Sequence, residues 1–340
     1  MTATSLRMTV PPEDDGKRLD AALAALLPGV GLRGRRRLCL NGLALVDGRS
    51  APPAFRVRAG RELAVIDTTE DSPAQAVLGC AHDDRPAAVI RRSDDLAFLH
   101  KPAGMHTAAI EGSPVTSLES LLPVLLPGCP AARLLNRLDA PTSGIVAAAL
   151  DEEGAAMYRA AQAAGRTEKR YLAVLEGALG EPAAVRRRIV QDGRKRVRVM
   201  DEDDADPARR TLIFPLAVFR RGDAAFLFLQ DGEAEVFSCL NDPVTLAVCV
   251  IFRGARHQIR AHAASLGFPL LGDARYGSLS SPALPGEVAG EHFFLHHARL
   301  SLPGVEVTDL PDWLDPLCRS GIVMEKDVLS WLERSGGCGA

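Results

Sequence analysis

Arg137 and Asp139 stand two residues apart, between the apolar pair Leu134-Leu135 and the small apolar run Ile145 to Leu150. In extended chain that spacing turns both side chains to one face, so a carboxylate is set beside an arginine where a core begins. Pro141 ends any helix that could carry the segment, Thr142 and Ser143 can bond their own backbone, and Gly144 permits a close turn into a buried strand over 145–150. Asp139 therefore falls in a loop entering a core strand, a usual place for a functional group. The pair would serve as functional groups or equally as a structural ion bridge.

Other chemistry-bearing residues lie further along. The alternation in Glu168 to Gly177 predicts a strand with Lys169, Tyr171 and Ala173 on one face, where Tyr171 is either a core tyrosine or a stacking platform for a base. Ile259, Ala263 and Leu266 mark the apolar face of a helix ended by Gly267, with Arg256 and Arg260 four apart on another face, an arginine pair suited to an anion. His257 and His262 invite a metal reading, but their spacing is not the i, i+4 of a helical zinc pair and no carboxylate follows at ligand distance; no metal is expected. Lys101, in the turn Lys101-Pro102-Ala103-Gly104, is either a phosphate contact or a solvated lysine. His296 and His297, on a final strand over 293–302, read as structural.

The elements that must position these groups follow from the rest of the chain. With 340 residues and 47% apolar content, a large domain with a smaller attachment can be built. A net charge of −3 gives no global basic character, so a polyanion partner must be met by local patches. Seven widely spaced cysteines without a Cys-x-x-Cys indicate neither a disulfide framework nor a zinc ribbon. No stretch is uncharged for long enough to span a membrane, and a reducing cytoplasm is expected.

Residues 1–16 read as a tail. From 17 to 67 the pattern predicts two short helices and a small sheet, with ten Lys or Arg against four Asp or Glu, net +6. Arg33, Arg35, Arg36 and Arg37 cluster on the second helix, either a solvated face or a phosphate-contacting surface. Residues 68–86 read as a linker. After it come strands around 89–90 and 96–99, a helix over 117–126, an alanine-rich helix over 151–164 capped by Gly165, and strands over 211–219, 224–229 and 245–252. Arg186, Arg187 and Arg188 with Arg194, Lys195, Arg196 and Arg198 flank the turn Asp192-Gly193 and make a basic hairpin. Seven like charges on one ribbon need an anion nearby, and the acidic run Asp201 to Asp206 is the internal alternative to an external one.

Three blocks in order, "NRLDAPTSG", "EKRYLAVLEG" and "ARHQIRAHAASLGFPLLGDARYG", with "LAFLHKPAGM" before and "FFLHHARLSLP" after, resemble the RluA-type family of RNA pseudouridine synthases over residues 87–302. The helix–helix–"NGLALVDGR"–"VRAGREL" order of 17–67 resembles an S4-type RNA-binding domain, a frequent attachment in that family. The resemblance implies an α+β fold: a catalytic domain over 87–305 on a largely antiparallel mixed sheet with a central cleft, a small S4-like α/β domain, and an amphipathic extension over 306–340. It implies isomerisation of uridine to pseudouridine without a cofactor, with RNA as partner, ribosomal RNA preferred and transfer RNA possible; the sequence leaves the oligomeric state open, with a monomer expected.

Carried onto this sequence, the resemblance makes Asp139 the catalytic aspartate, Arg137 the arginine of base flipping, Tyr171 the active-site tyrosine and Arg260 the basic partner of the aspartate. A base that leaves its stack needs an arginine to fill its place and a ring to receive it. Tyr171 could also help remove the C5 proton, and whether Asp139 attacks the sugar, attacks the base or removes a sugar proton stays open. Two departures stand out: Asn136 where the family has His, and Arg253-Gly254-Ala255 where it often has Thr-Gly-Arg, with Arg256 one position along. RNA placement near both is expected to differ. The rival readings are an RNA-binding factor that has lost the chemistry, opposed by the retained Asp139, Tyr171 and Arg260, and a metal-dependent hydrolase using His257, His262 and Asp139.

Overall fold

The structure is a computed structural model that describes residues 5–27, 35, 39, 44–47, 49–66, 85–110, 115–193, 196–220, 243–278, 293–319 and 323–334. Arg33, Arg36, Arg37, Arg194, Lys195 and the strand expected over 224–229 lie outside the described residues. Contacts divide the chain into one unit of Met1–Gly79 with Gly286–Gly290 and another of Cys80–Pro285 with Glu291–Ala340.

In the first unit, β1 (Ser5–Thr9), β2 (Ala44–Val46), β3 (Arg49–Ser50) and β4 (Glu62–Ile66) form an antiparallel sheet in the order β1-β4-β2-β3. The expectation of a tail over 1–16 is thereby corrected. Residues 5–9 pair with β4 in register from Ser5↔Ile66 to Thr9↔Glu62, and Val10 is buried beside Leu19, Leu23, Leu63 and Val65. The acidic, Pro-rich stretch after Val10 hid a strand whose apolar residues are few. Leu19–Ala22 is a single helical turn, and Asp20 at its start is buried in a pair with Arg18 (3.0 Å). Arg35 Nε donates to the Asp20 carbonyl (2.9 Å), so this arginine of the basic cluster is tied into the domain itself.

The second unit is built on one mixed sheet. Its strands are β5 (Ala88–Arg92), β6 (Leu96–Lys101), β7 (Arg133–Leu134), β8 (Ser143–Ala149), β9 (Glu168–Glu176), β10 (Ala183–Val185), β13 (Thr211–Phe219), β14 (Val244–Ile251), β15 (Leu295–Leu302) and β16 (Val305–Thr308). The order is β10-β13-β14-β9-β15-β8-β6-β5, with β16 on β15 and β7 on β8, and every pair is antiparallel except β15 with β8. β11 (Arg187–Asp192) and β12 (Arg196–Asp203) form a separate ribbon. Apolar runs in β8 and β14 match their complete burial on both faces, and β9 is buried from Lys169 to Glu176.

Helices cover those faces. Glu152–Ala163 packs on β8, its start fixed by the Asp151 side chain accepting from the Gly154 N–H (2.8 Å). The opposite face is closed by Leu314–Arg319 and Glu325–Glu333, whose Leu314, Leu317, Val328 and Leu332 join Leu172, Val174, Leu246 and Val248 in one core. Arg170, buried at the back of β9, donates NH1 to the Trp331 carbonyl (2.5 Å) and NH2 to that of Arg334. The expected boundary at 305 falls at the first residue of β16, which pairs with β15, so the segment beyond it adds a strand to this sheet. Among the described residues no helix is long and apolar enough to cross a membrane.

The centre of the sheet dictates one glycine. β15 approaches β8 so closely at His297↔Gly144 that a Cβ on Gly144 would lie 2.4 Å from the His297 carbonyl oxygen, and the residue holds φ +107°. Gly144 thus serves a close strand approach rather than the turn expected of it. Gly144→Ala combines a backbone clash with a strained φ, and a loss on the order of 3 kcal/mol or more is expected in denaturant unfolding; an unchanged midpoint would refute this account of the centre.

Candidate functional site

A row of side chains crosses the sheet from Cys249 on β14 through Tyr171 on β9 and His297 on β15 to Gly144 on β8 and Lys101 on β6. Each pair is directly opposite, so the row is fixed by register. The Tyr171 and His297 rings stack at 4.6 Å with 17° between their planes. His297 Nδ1–H donates to the Ile145 carbonyl, and its Nε2 has no partner.

Asp139 reaches this row from the loop before β8. Its carbonyl accepts the Thr142 N–H (3.0 Å), closing the turn that Pro141 suggested. The loop is anchored on both sides. Thr107 Oγ1 donates to the Leu138 carbonyl (2.8 Å), and Asn136 Oδ1 accepts the Ala147 N–H of β8 (2.8 Å). Asn136, noted as a departure, is therefore a clamp between the loop and the strand, with its Nδ2 buried and unpaired.

Arg260 comes from the first turn of the helix Gln258–Ser265 and is 1% exposed. Its Nε and NH2 donate to both oxygens of the fully buried Asp273 (2.7 and 2.9 Å), and NH1 donates to Asp139 Oδ2 (3.1 Å). The Phe293 ring lies 4.4 Å from its guanidinium and the Tyr276 ring 5.1 Å. Asp139 keeps 27% of its side chain exposed, which leaves its carboxylate reachable. The guanidinium is thus used up by protein and the carboxylate is not. Around them Leu138, Thr142, Ile251, Ala255 and Ile259 line a cavity of about 60 Å³, with the exposed Arg137 at its edge.

The expected residues sort by burial. Asp139, Tyr171, Arg260 and Arg137 come together as the motifs suggested. Arg137 and Asp139 form no ion pair; Arg137 is exposed and, among the described residues, has no partner. Lys101 corrects the phosphate reading: it is fully buried, and its Nζ donates to the carbonyls of Pro102 (2.8 Å), Met105 (2.8 Å) and Ala140 (3.1 Å). It ties two loops together, one of them the Asp139 loop. Arg256 is exposed but precedes the helix, so it does not share a helical face with Arg260.

On the ribbon, Arg188 pairs with Glu202 (3.0 Å) and Arg187 with Asp201 (3.9 Å), so the acidic run neutralises its base. Arg196 and Arg198 stay exposed, Arg196 against the Tyr276 ring at 5.4 Å. Both nitrogens of His262 are engaged, with Thr211 Oγ1 (2.8 Å) and the Arg187 carbonyl (2.9 Å). His296 Nε2–H donates to the Asp309 carbonyl (3.0 Å) and its Nδ1 is bonded to Ser143 Oγ (2.8 Å), while His100 Nδ1–H donates to Asp309 Oδ2 (2.7 Å).

Asp273, Tyr276 and the site role of His257 were missed by sequence reasoning. All three stood within the quoted third block, and the signal was present as an unassigned acid and aromatic after the helix. Burial governs the titrations here. It pushes the Tyr171 phenol upward, with the fields of Tyr158 and Asp139 adding, so the hydroxyl keeps its proton at neutral pH. It also pushes His297 down to about 3 and His257 down to about 4.

Residues 95–265 match the family model described as RNA pseudouridylate synthase. An uncharacterized RNA pseudouridine synthase of Chloroflexus aurantiacus is 30% identical over 300 residues, 87% of this chain and 84% of that protein. Ribosomal large subunit pseudouridine synthase D of Xanthomonas campestris is 28% identical over 278 residues, covering 81% of this chain and 76% of that one. Among solved structures, human RNA pseudouridylate synthase domain containing 1 has the same fold at a TM-score of 0.53 and 20% identity, over 73% of this chain and 95% of that chain.

The two depressed histidines set an acid limit. Both are neutral in the fold down to about pH 4, whereas in the unfolded chain they take up protons near pH 6.5. Between those values the unfolded state binds more protons, so stability falls as pH drops through the window. The urea midpoint is expected to decline from pH 7 to pH 5, and His297→Gln to shrink that decline; an equal decline in the variant would contradict it.

Proposed function

The chain belongs to the RNA pseudouridylate synthase family, of RluA type, and is an isomerase of uridine in RNA; on that premise we propose that Asp139 is its catalytic carboxylate and large-subunit ribosomal RNA its substrate. The reaction detaches uracil from the sugar at N1, turns the ring and joins it through C5. N1 ends with a proton and C5 loses one, so the product is an isomer.

The observation that carries the reading is the asymmetry around Arg260. Asp273 takes two of its donors and Asp139 only one, which leaves Oδ1 of a partly exposed carboxylate free to act as nucleophile or base. Hydrogen bonding from a buried guanidinium holds that carboxylate in place without covering it. Tyr171, fixed from behind by His297, offers its remaining ring face and a protonated hydroxyl to the base. As a resident proton acceptor it is a poor choice, so its role is to receive and orient. Arg137, exposed at the cavity edge, supplies the cation that replaces the extruded base or holds its phosphate.

RNA recognition beyond the cavity falls to Arg196 and Arg198 of the ribbon, to Arg256, and to the basic 17–67 segment, which we read as an S4-like RNA-binding domain. Relatives named for the large ribosomal subunit favour that RNA and a cytoplasmic setting. Tritium release from C5-labelled uridine tests the assignment, using unmodified large-subunit ribosomal RNA and transfer RNA side by side. Wild-type protein is expected to release tritium from the ribosomal RNA, and Asp139→Asn to release none while still binding. Release by both proteins would remove Asp139 from the chemistry, and release from transfer RNA alone would overturn the substrate. Replacing Arg196 and Arg198 together by Ala should reduce the slope of log affinity against log salt by roughly 1.5; an unaltered slope would mean that the ribbon does not face phosphate.

A further inference from the structure

Tyr276 stands between the basic ribbon and the carboxylate. Its hydroxyl accepts the Val197 N–H of β12 (3.0 Å) and lies 2.8 Å from His257 Nδ1. A phenol has one proton to donate, and among the described residues Nδ1 is the acceptor it meets. The imidazole, neutral in the fold, then carries its own proton on Nε2. That nitrogen is 3.7 Å from Asp139 Oδ1, the oxygen that Arg260 does not bond.

The backbone shows the same purpose. His257 adopts φ +53°, a left-handed conformation uncommon for a non-glycine residue, at the residue before the helix that carries Arg260. Such strain persists where the surroundings over-determine it. The ring meets Tyr276 edge-on at 5.7 Å and 88°, is 8% exposed, and has no role in closing the sheet.

We propose that Tyr276 and His257 form a positioning relay for Asp139: the Tyr276 hydroxyl fixes the imidazole tautomer, Nε2–H is aimed at the free carboxylate oxygen, and the Val197 N–H couples the relay to the RNA-facing ribbon. The proposal rests on Asp139 as the catalytic carboxylate. At 3.7 Å the Nε2–H acts as an oriented dipole rather than a formed hydrogen bond, which steers the carboxylate and leaves Oδ1 open to substrate. Without the hydroxyl the imidazole can take its other tautomer, whose Nε2 lone pair would face the carboxylate and push it off line.

A double-mutant cycle tests this by single-turnover rate and RNA affinity. Tyr276→Phe keeps the ring between Arg196 and Arg260 and removes only the hydroxyl. The rate is expected to fall roughly 10- to 100-fold with affinity held within about two-fold. His257→Gln presents an amide N–H that needs no tautomer, so adding Tyr276→Phe to it should cost less than about two-fold more. His257→Leu should lose rate as Tyr276→Phe does, and His257→Gln should recover most of that loss, a comparison that does not depend on the Tyr276 variant folding. Equal losses from Tyr276→Phe in both backgrounds, a weakened affinity at unchanged rate, or no difference between His257→Gln and His257→Leu would each overturn the relay. Asp139→Asn in the same assay keeps the two readings apart: if it turns over, the carboxylate assignment fails, and if it is inactive while the cycle is multiplicative, the relay alone fails.

Discussion

A guanidinium with almost no solvent contact is the constraint the catalytic unit is built to satisfy. Isolated, such a charge would cost several kcal/mol to bury, and it is tolerable only where its donors are matched by acceptors of good geometry. Arg260 meets that condition by spending Nε and NH2 on Asp273 and NH1 on Asp139, with aromatic rings of Phe293 and Tyr276 against its faces. Asp273 in turn sits in a tight turn whose N–H groups bond Leu270 and whose carbonyl accepts from Tyr276 and Ser278. The loop after the helix is therefore as much part of the site as the helix. Because Asp273 supplies the firm half of the pairing, Asp139 can remain half-held and open.

The sheet supplies the rigidity this arrangement needs. The parallel pairing of β15 with β8, at an otherwise antiparallel centre, brings His297 against Gly144 and sets Tyr171 beside the Asp139 loop. With helices packed on both faces, neither strand can shift register without moving a whole core layer to the wrong side. A network of His100, Ser143 and His296 with Asp309 crosses β6, β8 and β15, and Arg85 reaches Asp309 at 2.7 Å from before β5. Precision at the carboxylate is thus inherited from backbone hydrogen bonding across distant parts of the chain.

What the sequence disclosed, and what it withheld, divides along the range of the interactions. Strands at 96–101, 143–149, 168–176, 211–219 and 244–251 were legible because apolar runs bounded by Gly and Pro are local signals. Asp139, Tyr171 and Arg260 were legible because their types and order are distinctive together. Lys101 was misread because its charge is visible in sequence while its three carbonyl partners, one of them 39 residues away, are not. The strand at 5–9 was missed because its partner lies at 62–66, and pairing at that separation leaves no periodic mark in so short and mixed a segment. Tyr276 and His257 stood within a quoted block, but their pairing is set by which hydroxyl the fold brings alongside the imidazole, a contact 19 residues apart that leaves no local mark.

Burial then separates the cations into two populations with different work. Lys101, Arg170 and Arg260 lie within the fold and have given their donors to carbonyls and carboxylates of the protein, so they hold loops, helices and the site in position. Arg137, Arg196 and Arg198 are exposed, and on the proposed reading their donors meet phosphate. Only the second population can release counterions on binding RNA, so a chain of net charge −3 can still bind a polyanion. Local placement, not total charge, decides the matter: acids at 201 and 202 pair with Arg187 and Arg188 at the base of the ribbon, while Arg196 and Arg198 further along it meet no carboxylate among the described residues. The same ribbon gives a backbone N–H to Tyr276, so this basic element is bonded into the surroundings of the carboxylate.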